Sequence, residues 1–286
     1  MTATVGHGVE AVLDLVYATA GDIELALDLY LPVERGGDCP VVLYLHGGGF
    51  MVGSRRALAQ ERLVPVARAG IAVASAQYRF SDVATHPAQI NDAKAAVRWL
   101  RANAARHGYR ADRVGAWGAS AGGYLALMLG VTAGLPAFEG TLGEHLDAGS
   151  AVDAVTAWFP ITDVPVADAE PAVAGRELPP FATGPPPQPS RLARLLGVQR
   201  VADHPELAAT ASPVSYAAAT QASFLLMHGD ADGLVHERQS IAMHEALIAH
   251  GVDSTLLLIA GANHEGSEFD GPASLGAVSG FFRGVL

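Results

Sequence analysis

Cysteine is nearly absent: Cys39 is the single one in 286 residues, so no internal disulfide can form and a thiol nucleophile has no candidate elsewhere. Basic residues are scarce too, 18 Lys and Arg against 29 Asp and Glu, for a formal net charge of −11. Nucleic acid and anionic membrane surfaces both need a basic face, so neither is expected as a partner. No apolar run is long enough to span a bilayer, and residues 1–10 carry neither a basic start nor an apolar stretch. The expected location is therefore the cytoplasm. Charged residues make up only 16% of the chain and hydrophobic ones 50%, which excludes disorder for most of it. A chain of this size can bury a large core as one domain, expected over residues 1–286.

Strand-like apolar runs alternate with helix-like ones, the pattern of an α/β domain with a mostly parallel central sheet and helices on both faces. Residues 12–31 alternate apolar and polar and suit an antiparallel pair at the sheet edge. Helices are expected over 58–69 and after Pro87, where Ile90, Ala93, Val97, Leu100 and Ala104 share one face. Two more are expected near 236–250 and 273–285. Between 164 and 203 the alternation stops and prolines crowd in, at positions 165, 171, 179, 180, 185, 186, 187 and 189. That density is incompatible with a central strand or a long helix. The segment is expected to form a partly mobile cap, with Leu192, Leu195 and Leu196 on a short amphipathic helix facing the cleft or the core.

Gly118-Ala119-Ser120-Ala121-Gly122 follows the apolar run Val114-Gly115-Ala116-Trp117 and precedes another that begins at Tyr124. A strand, a sharp turn and a helix are implied, with the serine hydroxyl lifted clear of the sheet edge, the G-x-S-x-G nucleophile elbow. Upstream, Val41-Val42-Leu43-Tyr44-Leu45 runs into His46-Gly47-Gly48-Gly49-Phe50. Three glycines bare enough backbone N–H to approach a ligand closely, which suits an oxyanion hole. Gly47 and Gly48 are its expected donors, joined by Ala121 after the nucleophile. Phe50 and Met51 either line the acyl side or fill the core.

Downstream, the run Ser223-Phe224-Leu225-Leu226-Met227 ends in His228-Gly229-Asp230-Ala231-Asp232, and the next strand ends in Gly261-Ala262-Asn263-His264. Ser, then Asp, then His, each just past a strand, is the chain order of α/β-hydrolases rather than of chymotrypsin or subtilisin. Asp232 is preferred to Asp230 as the acid. His46 and His228 are expected to shape loops or support the site, and Trp99 to pack.

The stretch from Pro87 to Leu100, followed by Asp112 to Gly123 around the elbow, resembles bacterial alpha/beta-hydrolase esterases. It is most similar to the acetyl esterase and feruloyl/acetylxylan esterase-like (BD-FAE-type) branch that neighbours the hormone-sensitive-lipase family. Ala119 stands where the lipase-like group usually carries an acid, which sets the chain apart from that group. The resemblance implies hydrolysis of a small-molecule carboxylic ester without cofactor or metal, with Ser120, Asp232 and His264 as the triad. A formamidase or amidase would use the same residues, and a non-catalytic binding protein on this scaffold is the remote alternative. A monomer or a homodimer is expected.

Overall fold

The computed structural model describes residues 2–4, 6, 8–170, 175–183 and 187–286, the first three as backbone alone. Its centre is a nine-stranded sheet in the order β1-β2-β3-β5-β4-β6-β7-β8-β9. The strands are β1 (Thr2–Thr4), β2 (Val9–Ala20), β3 (Ile23–Pro32), β4 (Pro40–Leu45), β5 (Ala72–Ala76), β6 (Arg110–Ala119), β7 (Ala154–Trp158), β8 (Ser223–Gly229) and β9 (Ser254–Ile259). From β4 onward the strands pair in parallel. The first three are antiparallel, and β3 joins the rest through β5. This is the α/β-hydrolase sheet expected from the sequence, with β1 added outside the expected edge pair. Residues 1–10 lack the apolar alternation that marks a strand, so β1 is held by backbone pairing to β2, Thr2 opposite Val12.

Alternation along each central strand feeds two cores. Val41, Leu43 and Leu45 of β4 join one, together with α2 (Ala88–His107), α3 (Ala121–Val131), α4 (Pro136–Glu139) and α8 (Arg238–Ala249). Val42 and Tyr44 join the other, with α1 (Val64–Arg68) and α9 (Pro272–Val285). Helix α3 is buried at every position, because it lies between the sheet and neighbouring helices.

The helix expected over 58–69 is broken. A π-helical turn, Ala59–Leu63, precedes α1. Pro65 has no N–H to bond the carbonyl of residue 61, so a regular α-helix cannot run through it.

Between β7 and β8 the described residues make short pieces: α5 (Val164–Ala169), α6 (Arg191–Leu196), α7 (Pro205–Thr210) and three 3-10 segments. Of the proline-rich stretch, 171–174 and 184–186 lie outside the described residues. Helix α6 starts where the Ala193 N–H donates to Ser190 Oγ (3.0 Å) and ends at Gly197, φ 71°. A serine at the start and a left-handed glycine at the end are residues that helix caps favour.

Candidate active site

Ser120 stands between β6 and α3 with φ 53° and ψ −117°, a sparsely populated conformation that costs about 1–3 kcal/mol. Its neighbours must be small for reasons of space. A methyl group at Gly118 would lie 2.2 Å from the Gly122 carbonyl oxygen, and one at Gly122 would lie 1.9 Å from that of Leu45. The turn is pinned by the Ser120 N–H donating to Trp158 O (2.9 Å) and the Tyr124 N–H to Ser120 O (2.9 Å).

Chain order brings two more loops to this edge. In the loop after β9, His264 places Nε2 2.9 Å from Ser120 Oγ and Nδ1 2.7 Å from Asp232 Oδ2. Asp232, in the loop after β8, is fully buried. Its Oδ1 accepts the Leu234 and Val235 N–H groups at 2.8 and 2.9 Å. His228 sits beneath it, with Nε2 3.3 Å from Asp232 Oδ2 and 3.0 Å from Val235 O. Both are acceptors, so His228 Nε2 carries a hydrogen. Its Nδ1 then takes the Ser240 hydroxyl at 2.7 Å. Burial opposes charge on Asp232, but hydrogen bonds from His228 and His264 outweigh it and hold the carboxyl well below the usual carboxylate range. An ionised Asp232 fixes the hydrogen of His264 on Nδ1 and leaves Nε2 free to accept from the serine. Asp230 does not reach the imidazole; it is exposed and accepts the Gly261 N–H at 2.6 Å.

The glycine loop after β4 closes the other side. A methyl on Gly47 would come within 3.5 Å of Ser120 Cβ, so this backbone lies against the serine. His46 braces the loop: Nδ1–H donates to Gly47 O (2.7 Å), and the ring stacks on Tyr78 at 4.6 Å. Burial pushes the His46 imidazole down from its ordinary value, so it stays neutral. Among the described residues, the N–H groups of Gly47, Gly48 and Ala121 make no hydrogen bond to another part of the chain. The loop and Ser120 lie at the carboxyl ends of the adjacent strands β4 and β6, where β4 connects to β5 on one side and β6 to β7 on the other. Open α/β sheets bind ligands at such a switch point.

Of the two places open to Phe50, Met51 and the three leucines, cleft or core, most take the core. Phe50 is fully buried, edge-on to Tyr124 with centroids 5.2 Å apart, and Leu192, Leu195 and Leu196 join the same core. Phe50 has φ 63°, which turns its ring inward under the glycine loop. Of the five, Met51 alone keeps partial exposure.

Other residues at the site were not singled out by the sequence. Asn263 carries a signal, since it directly precedes His264: its Oδ1 accepts the His264 and Gly233 N–H groups at 2.7 and 3.0 Å. Arg62, on the π-helical turn, carries none. It is buried beside Trp158, its guanidinium carbon 4.9 Å from the ring centre. It donates to Asp270 (2.6 Å), Glu265 (2.9 Å) and Tyr44 Oη (2.9 Å). Glu265 follows His264 with φ 57°, so Arg62 anchors the histidine loop from below. Arg62→Met would leave two carboxylates without their buried partner. We expect a loss of about 3 kcal/mol in chemical denaturation; a loss below about 1 kcal/mol would show that solvent screens them instead.

Among the described residues, no group of His, Cys, Asp and Glu side chains is placed to hold a metal, and no helix is long and apolar enough to cross a membrane. The esterase LipQ of Mycobacterium tuberculosis is 28% identical over 236 residues, covering 82% of this chain and 52% of LipQ. The esterase LipC of the same organism is 29% identical over 237 residues, covering 81% of this chain and 54% of LipC. The chain thus spans about half the length of the curated relatives it matches. Among solved structures, a truncated carbohydrate esterase from gut microbiota superposes with a TM-score of 0.82 at 28% identity, covering 96% of this chain and 95% of that one. Residues 27–247, well over half of the chain, match the BD-FAE family model, and the protein belongs to the BD-FAE family of the α/β-hydrolase fold.

Proposed function

We propose that this protein is a serine-dependent carboxylic ester hydrolase acting on short-acyl or small aryl and alkyl esters. One observation carries the reading: the line of hydrogen bonds from Asp232 through His264 to Ser120, 2.7 and 2.9 Å, which ends beside backbone N–H groups with no other partner. In this reading His264 Nε2 takes the Ser120 proton as Oγ attacks the ester carbonyl. The Gly47, Gly48 and Ala121 N–H groups hold the oxyanion, each donor being worth about 3 kcal/mol. Asp232 stabilises the imidazolium, which returns its proton to the leaving alcohol. Water, deprotonated by His264, then hydrolyses the acyl-enzyme.

The family and the esterase names of its relatives support an ester as the bond that is cleaved. The short-acyl preference is supported by Phe50, Leu192, Leu195 and Leu196, whose side chains are taken up in the core rather than offered to an acyl chain. The described residues of 164–203 act as the cap over this edge. The test is a p-nitrophenyl ester series from acetate to dodecanoate beside an aryl formamide. We expect turnover that is highest at the short end and faster on esters than on the formamide. Turnover of the formamide alone would replace this reading with that of an amidase on the same residues.

A further inference from the structure

Phe181 is out of keeping with a chain whose large side chains are otherwise mostly packed. It sits on a 3-10 turn, Pro180–Ala182, with 63% of its surface exposed, and its ring centroid lies 6.3 Å from that of His264. Phe159 also touches the imidazole, at 4.5 Å, but is fully buried. Of these two aromatic neighbours, only Phe181 is open to a ligand.

Its placement is held by the chain just before it. The Asn263 side chain, which already accepts the His264 N–H, donates through Nδ2 to Glu177 O at 2.7 Å. Arg176 donates to Asp232 O at 3.0 Å and pairs with Glu237. Gly233 lies so close to this segment that a methyl group there would be 2.3 Å from Glu177 O. Pro179 is buried. The stretch carrying Phe181 is therefore tied to the acid loop and the histidine loop, and its ring is set relative to the imidazole rather than carried on a free loop.

We infer that Phe181 is the wall of a leaving-group subsite, and that the preferred substrates are esters whose alcohol presents a ring, aromatic or alicyclic, to that wall. The inference rests on the ester-hydrolase reading above. His264 Nε2 hands its proton to the leaving oxygen, so that oxygen must lie within hydrogen-bond reach of the imidazole, and the carbon skeleton attached to it leaves past the imidazole's neighbours. An exposed aromatic ring there gains most from a ring-shaped partner, which it can meet face to face or edge to face.

Benzyl acetate and ethyl acetate share one acyl-enzyme and differ only in the alcohol, so the ratio of their kcat/KM values isolates the leaving-group contact. We expect Phe181→Ala to lower the benzyl-to-ethyl ratio about tenfold and Phe181→Tyr to restore most of it, with cyclohexylmethyl acetate following benzyl acetate. An unchanged ratio in Phe181→Ala, with both rates falling together, would overturn the inference and leave Phe181 as a shield over His264. No turnover of any of these esters by the wild-type protein would overturn the hydrolase reading, and the inference with it.

Discussion

Ser120→Ala will lower kcat on a short-chain ester by about five orders of magnitude. The geometry leaves no substitute nucleophile: Ser120 Oγ is the group that meets His264 Nε2, and the only cysteine, Cys39, is buried just before β4. What survives should be the slow reaction in which the backbone N–H groups still polarise a bound ester for attack by water. His264→Ala should fall by a similar factor, and the double variant little further, because the two residues act as one unit. Steady-state rates of the purified variants check this. A Ser120→Ala protein that keeps its fold and more than a tenth of wild-type turnover would remove the serine from the chemistry.

Asp232→Asn is expected to cost about 10⁴ in kcat with little change in KM, and the surroundings of Asp232 say why. Its Oδ1 accepts two backbone N–H groups, from Leu234 and Val235. An asparagine must turn its carbonyl oxygen toward those donors. Its NH2 group then faces His264 Nδ1, which can accept that hydrogen bond only in the tautomer with Nε2 protonated. A protonated Nε2 cannot take the serine's proton. The NH2 group would also confront the Nε2–H of His228, so part of the loss should appear as reduced stability. Asp230→Asn is the control: that carboxylate accepts the Gly261 N–H in an exposed turn away from the imidazole, and its loss should change kcat less than tenfold. Equal losses in the two variants would contradict the assignment of the acid.

The sheet and the positions of Ser120, Asp232 and His264 are legible because they share one grammar. Each follows an apolar run that reads as a strand, buried for β6 and β8 and half-exposed at the sheet edge for β9, and each run ends in small or turn-forming residues. Parallel strands bring such ends to one edge of the sheet, so three loops far apart in sequence meet there. The direction in which a side chain leaves a loop is not written the same way. Phe50 follows three glycines and reads equally well as a pocket wall or a core filler; its packing against Tyr124 decides for the core. The leucines of α6 show an apolar face, but not what that face meets.

Arg62 reads as a charge on a helix surface. Its burial depends on partners at Glu265 and Asp270, more than 200 positions away, and on a π-helical turn that no local pattern announces. Phe181 was hidden for a related reason: proline density foretells an irregular segment without saying where its side chains stop. Asn263 was the exception within reach, since an amide beside a proposed catalytic histidine, in a loop with backbone donors to satisfy, invites the question of what it bonds.

Ser120 carrying the acyl group during turnover can be seen by rapid quenching of the protein with p-nitrophenyl acetate, followed by intact mass and peptide mapping. A burst of nitrophenol is expected, with one acetyl group per chain, mapped to Ser120 and absent in Ser120→Ala. Turnover with no acetylated chain, or an acetyl group mapped to another residue, would contradict that role of Ser120.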